Sequence, residues 1–198
     1  MAVASKQAQR LSRAERTERN RERVLAAARE VFLARGYHGA TVDQIAAAAG
    51  FSTGVVYSQF GAKADLFLAL LEGRIEERIR DNAALAASLD GREGLVRLVE
   101  HTAHVTFAEP EWGLLVLEFR VHAARDPELN ARYARAHART VSGLAVVLAR
   151  SRTNGGLAPE ELAEVIAAIS SGSQLELAAG RDAFTGPLLR KVIERLAT

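Results

Sequence analysis

Apolar residues recur along this chain at intervals of three and four, and no segment alternates apolar and polar with a period of two. Val24, Ala28, Val31 and Phe32 share one face and predict a helix over about 15–35, with Gly36 where a helix-ending glycine belongs. Thr41-Val42-Asp43-Gln44 reads as a capping box that opens a short helix over 42–49, closed by Gly50. Phe51 is then free to enter the core. Ser52 is the expected N-cap of a second short helix over 53–59, which Gly61 breaks. From Lys63 a longer helix places Leu66, Leu70, Gly73 and Glu77 on one face with Phe67, Leu71 and Ile75 beside them. The remaining periodic segments are 63–89, 92–108, 111–125, 127–152, 158–179 and 184–197. They are separated at Asp90-Gly91, Glu109-Pro110, Asp126-Pro127, Asn154-Gly155-Gly156 and from Gly180 to Pro187. About nine helices and no sheet predict an all-α protein.

Composition narrows the chemistry. The 198 residues contain no cysteine, which removes thiolate catalysis, zinc–thiolate sites and disulfides. No apolar run reaches membrane-spanning length and no signal-peptide core follows the basic start, so the expectation is a cytoplasmic protein with no membrane partner. Charge is uneven: through Lys63 there are ten Lys/Arg against five Asp/Glu, and afterwards sixteen against nineteen. A basic front joined to a mildly acidic remainder suits a polyanion-binding unit attached to something else. We therefore divide the chain into a flexible basic arm (1–14), a three-helix unit (15–62) and a larger helical unit (63–198).

The segment TVDQIAAAAGFSTGVVYSQFGAK, residues 41–63, combines a short helix, a glycine-containing turn and a second short helix of mixed polarity, the helix-turn-helix layout. Ile45, Ala46 and Ala49 are small or apolar and suit close packing against Val56. The second helix would then present Thr53, Gly54, Val55, Ser58 and Gln59 outward, toward a DNA major groove.

Over residues 24–67 the chain resembles the TetR family of bacterial regulators. Phe32, Gly36-Tyr37, Thr41, Ile45-Ala46, Gly50, Ser52, Tyr57, Phe60 and Lys63 stand at the spacing of that family's motif. Val55 departs from the family's common Thr or Ser; it suits a thymine methyl but donates no hydrogen bond. Ala62 replaces the usual Ser or Asn and deprives the next helix of a side-chain cap.

The resemblance implies that Thr41 and Tyr57 reach DNA phosphates and that Lys63 is a phosphate ligand. The alternatives are a half-buried structural Tyr57 and a solvated Lys63. Gln59 is the expected base reader, since a side-chain amide pairs bidentately with adenine. The arm, with Lys6, Arg10, Arg13 and Arg16, reads as a disordered tail that adds salt-dependent affinity.

In the larger unit, helix 158–179 is apolar nearly all round, and the last helix carries a broad apolar stripe. Leu162, Val165, Ile166, Ile169, Phe184, Leu188, Leu189 and Val192 are the expected homodimer interface, and a twofold dimer matches a pseudo-palindromic operator. His104, Phe107, Trp112, Leu115, Phe119, His122 and Tyr133 are candidates for a pocket binding a small-molecule effector, against the alternative that each is core. The resemblance implies a repressor whose fourth helix shifts when ligand binds, with no cofactor. His101 and His104 stand at i, i+3, but two histidines make no metal site. Two rival classes remain. A helical-bundle enzyme is disfavoured because no histidine has Glu three residues earlier and phosphate-loop, dinucleotide and zinc-protease motifs are absent. An architectural DNA-binding protein without an effector stays open.

Overall fold

The computed structural model describes residues 12–86, 108–150 and 156–180 continuously, and positions 94, 97, 98, 101, 102, 104, 188, 191, 192 and 195 singly. Among the described residues every regular element is a helix: α1 (Arg13–Gly39), α2 (Val42–Ala49), α3 (Thr53–Phe60), α4 (Lys63–Ala86), α5 (Pro110–Ala123), α6 (Pro127–Leu148) and α7 (Pro159–Ala178). The protein is all-α. The helices expected over 92–108 and 184–197 are described only at scattered positions, all of them helical, so seven elements are bounded where about nine were expected.

Local capping sets most boundaries. Ser12 opens α1 with its hydroxyl accepting the Glu15 N–H at 3.2 Å, while the Glu15 carboxylate accepts the Ser12 N–H at 2.7 Å. Thr41 and Gln44 make the same reciprocal pair at the start of α2, at 3.2 and 3.1 Å. Proline is the first residue of α5, α6 and α7, where its missing N–H costs nothing. Gly36 breaks the first helix as expected: it sits at the non-helical φ +68°, ψ 173°, and one further turn runs beyond this kink to Gly39. One expectation needs correction: Ser52 occupies the N-cap position of α3 without a side-chain cap bond; next to it, the Thr53 hydroxyl donates to Asp43 Oδ1 at 2.6 Å. Ala62 brings no side-chain acceptor to the start of α4, as expected, but its own N–H is held, donating to Asp65 Oδ2 at 2.8 Å.

One core cluster runs from α1 through α6. Its centre is aromatic: Phe32, Phe67 and Phe119 are fully buried, Phe67 stacks on Phe119 at 4.3 Å and meets Phe32 edge-on at 5.4 Å. Each such ring contributes about 1.5–3 kcal/mol by burial and roughly 0.5–1.5 kcal/mol more by ring packing. Because Phe32 belongs to α1, Phe67 to α4 and Phe119 to α5, the N-terminal three-helix unit and the larger unit share this core. A second cluster, with Leu144 and Leu148 of α6 and Leu162 and Ile166 of α7, lies beyond it. Leu162 and Ile166, expected at a dimer interface, are therefore spent inside the chain, 1% and 2% exposed. An apolar helix can cover its neighbour with one side only, and here that side faces α6.

Candidate nucleic-acid interface and ligand cavity

The helix-turn-helix is braced from behind by α1. Val24 and Ala28 of α1, Ile45 and Ala46 of α2 and Val56 of α3 are all at most 1% exposed. Gly50 makes the turn at φ +71°, a conformation that favours glycine. Arg23 Nη2 donates to the Ala49 carbonyl at 2.9 Å and its guanidinium lies 4.7 Å over the Phe51 ring, a cation where the α2 carbonyls end. Phe51 is half-buried against the core, as expected.

On the outer side Thr41, Gly54, Tyr57 and Ser58 are exposed, Tyr57 at 49%. Tyr57 is thus a large aromatic left half open on α3, whose Val56 and Phe60 are buried. Thr53, Val55 and Gln59 are half-buried. Thr53 is engaged by Asp43, and Ser58 donates to the Val55 carbonyl at 2.9 Å. Gln59 buries its amide oxygen without a partner, so reading a base requires its side chain to turn outward.

Lys63 has a structural duty that sequence alone does not disclose. Its Nζ donates to the carbonyls of Tyr37 at 2.7 Å and Ala40 at 3.0 Å, and sits 4.5 Å above the Tyr37 ring. Two of three ammonium hydrogens are committed, leaving one for a phosphate. Burial pulls its pKa below the ordinary lysine range. Tyr37 is the hub beneath it: buried, its ring is 5.9 Å from Phe32, 5.5 Å from Phe67 and 5.0 Å from both Phe119 and His122. Burial first, then the Asp65 charge, push its hydroxyl up to about 12. Its N–H donates to Glu118 Oε2 of α5 at 2.7 Å.

Helices α4 to α7, with Thr102, line a half-open cavity of about 230 Å³. Of the pocket candidates, Trp112 and Tyr133 line it. Leu115 and Phe119 are core, His122 packs on Tyr37 instead, and His104 is exposed away from the lining. Phe107 lies outside the described residues, as do Phe184 and Leu189 of the expected interface. Sequence reasoning missed Arg74, Arg78 and Asn82 of α4, Thr102, His137 of α6 and Gln174 of α7. A signal was present: Leu71, Ile75, Arg78 and Asn82 form one i, i+4 or i+3 stripe, so polar residues continue an apolar face. Arg74 binds Glu77 at 3.1 Å and Glu109 at 3.2 Å, and Glu109 also takes Arg29 at 2.9 Å. Burial and the neighbouring Arg74 pull the Arg78 pKa down. Burial, then Arg120, lower that of His137, which keeps the imidazole neutral at pH 7. Of the expected interface, Val165 is 37% and Leu188 43% exposed, while Ile169 and Val192 are half-buried; Leu175, at 55%, was not anticipated.

Residues 24–70 match the sequence profile described as bacterial regulatory proteins, tetR family, and residues 91–198 that of the BetI-type transcriptional repressor C-terminal domain. The transcriptional activator FasR of Mycolicibacterium smegmatis is 39% identical over 132 residues, 66% of this chain and 58% of that protein. The transcriptional repressor AcnR of Corynebacterium efficiens is 31% identical over 150 residues, 74% of this chain and 73% of its own length. Among solved structures, Bacillus subtilis FadR in complex with stearoyl-CoA superposes with a TM-score of 0.73 at 20% identity, covering 89% of this chain and 97% of FadR. Salmonella enterica GusR gives 0.67 at 23% identity, covering 94% and 98%. With the braced helix-turn-helix, the helical C-terminal unit and both profiles in agreement, the chain belongs to the TetR family of bacterial transcriptional regulators.

Proposed function

We propose that this regulator is a twofold homodimer that represses by occupying a pseudo-palindromic operator and leaves it when a small-molecule effector fills the cavity. The observation that carries this reading is the double use of α5. Trp112, Gly113 and Val116 line the cavity, while Leu115 and Phe119 enter the aromatic core and Glu118 holds the Tyr37 N–H. A ligand that displaces α5 therefore pulls on α1 at Tyr37 and, through the Tyr37 carbonyl, on Lys63 at the start of α4. Release requires the effector to bind the DNA-incompetent state more tightly, by about 1.4 kcal/mol for each tenfold loss of operator affinity.

On DNA, Thr41 and Tyr57 contact phosphates and Lys63 offers its remaining N–H. Gly54 and Ser58 face the groove, Thr53 lies at the edge of that surface, Val55 takes a thymine methyl, and Gln59 reads adenine once turned outward. The dimer forms through Val165, Leu175, Leu188 and Val192. The AcnR relatives, named as repressors, support repression over activation, and the FasR relative marks the opposite outcome. We read the chain as a cytoplasmic binding protein and not as an enzyme.

The experiment is selection of a palindromic site from random duplexes, followed by fluorescence-anisotropy titration over a salt series. The expected result is nanomolar binding to one enriched site, weakened about tenfold by Tyr57→Ala with thermal stability unchanged. Binding confined to about 10⁻⁴–10⁻⁶ M at physiological salt, with no enriched site, defeats the proposal in favour of an architectural role.

A further inference from the structure

The cavity contains an imbalance that its own residues do not resolve. Three lining residues carry polar atoms that are buried yet hydrogen-bond to nothing among the described residues: Arg78 Nη1, Asn82 Oδ1 and Thr102 Oγ1. Asn82 is 5% and Thr102 9% exposed, so only an occupant of the cavity, water or ligand, can serve them. The acids of the cavity are otherwise engaged. Glu77 and Glu109 are held by Arg74, and Glu109 by Arg29 as well. Asp81 is exposed and acts on Arg78 through its charge, yet leaves Arg78 Nη1 without a hydrogen-bond partner. A buried guanidinium N–H with no acceptor is costly for a fold to keep, and an incoming anion satisfies it. The same cavity is lined by the apolar and aromatic side chains of Trp112, Val116, Tyr133, Val141, Leu144 and Ile166.

We propose that the effector is a small carboxylic acid with a flat, ring-bearing body, its carboxylate bound by Arg78 and Thr102 and its ring lodged between Trp112 and Tyr133. Asn82 supplies the remaining contact, its amide turned to donate. Size supports the class. A 150 Å³ cavity accepts benzene, so about 230 Å³ accommodates a ring with a short acidic arm; it lies below the roughly 300–1,000 Å³ of pockets for drug-sized ligands. A quaternary ammonium or amine is the competing occupant, since Trp112 and Tyr133 would suit it. The orphaned group on Arg78, however, is a donor, Nη1–H, which an ammonium cannot satisfy and a carboxylate can. The inference rests on the cavity being the effector site only in its link to DNA.

The test is isothermal titration calorimetry of the full-length protein, without DNA, using benzoate, phenylacetate and 3-phenylpropanoate beside the amide and amine of each. At least one carboxylate is expected to bind tenfold or more tightly than its amide and amine. Arg78→Gln should weaken it by about 10- to 150-fold, the worth of a hydrogen bond to a charged group. Thr102→Val, close in shape, should weaken it a few-fold. Without ligand, Arg78→Met should melt about 2–4 °C above wild type, because a desolvated guanidinium N–H without a partner is gone. Equal binding of amide or amine, no binding by any carboxylate, or undiminished binding by Arg78→Gln each overturns the inference. None of these touches operator selection, and loss of operator binding leaves the calorimetry intact, so the two readings fail separately.

Discussion

Gly36 sits where α1, the Tyr37 hub and Glu118 of α5 meet, and Gly36→Ala probes that junction. The residue holds φ +68° with ψ 173°, a region essentially reserved for glycine, and forcing alanine there costs about 1–3 kcal/mol. A Cβ would also stand 2.7 Å from Glu118 Oε2 and 3.0 Å from Oε1, so the carboxylate, the free end of a flexible side chain, must shift. The shift is expected to break its bond to the Tyr37 N–H, a charge-assisted hydrogen bond worth about 1.5–3 kcal/mol. The two parts together predict a loss of about 2.5–6 kcal/mol in urea unfolding, read at fixed protein concentration because the stability of the proposed dimer depends on it. Gly39→Ala is the internal control. Gly39 has no positive φ and its Cβ would meet only Arg35 Cβ at 3.6 Å, so the change should be neutral or stabilise by up to about 1 kcal/mol. Combining Gly36→Ala with Glu118→Ala removes the collision and leaves the backbone strain, so the double variant should lose less than the two single losses added together. A Gly36→Ala protein within about 0.5 kcal/mol of wild type, or one no worse than Gly39→Ala, would refute the account of this junction.

Three further outcomes follow from the same geometry. Lys63→Met should cost about 1–3 kcal/mol in urea unfolding, for the bonds to the Tyr37 and Ala40 carbonyls, and should reduce the log–log salt slope of operator binding by about 1. A lowered stability with an unchanged slope would show that the lysine serves the fold alone. Tyr37, with its hydroxyl pushed up to about 12, resists ionisation more in the fold than in the unfolded chain, whose tyrosine has a value near 10. The stability this supplies is complete below about pH 10 and is lost as pH climbs towards 12, so the wild type should fall more steeply than Tyr37→Phe between pH 9.5 and about 11.5; parallel curves would contradict the assigned burial. Gly143→Ala places a Cβ 2.7 Å from Ile79 Cγ1 where α6 crosses α4, and this overpacking should cost about 1–3 kcal/mol in thermal melts.

The helix-turn-helix was legible because its determinants are local. The Thr41–Gln44 capping box spans three residues, Gly50 is forced by one backbone conformation, and the prolines opening α5, α6 and α7 announce themselves. The apolar period then gave the helices and the motif placed them. Where local signals ran out, so did the reading. Ala62 announced the missing side-chain cap, but not that its own N–H would be held by Asp65, which acts through its side chain. Ser52 looked like a cap although Asp43, ten residues before Thr53, organises that corner through Thr53.

The chain by itself determined an all-helical protein, a braced DNA-reading pair of short helices and the family to which they belong, since periodicity, caps and turns couple residues only a few positions apart. Only the tertiary structure decided how each helix divides its faces. It sent Phe119 and Leu115 to the core but Trp112, on the same helix, to the cavity; it spent Leu162 and Ile166 inside the chain and left Val165 outside; and it brought Lys63 to Tyr37 and Glu118 to the same residue, 26 and 81 positions apart. A helix that is apolar on more than one side carries no local record of which side meets which neighbour. That choice is made by packing between segments distant in sequence, and it turned Arg78 from one more charge on α4 into a cavity-lining residue with a buried Nη1 that bonds to nothing.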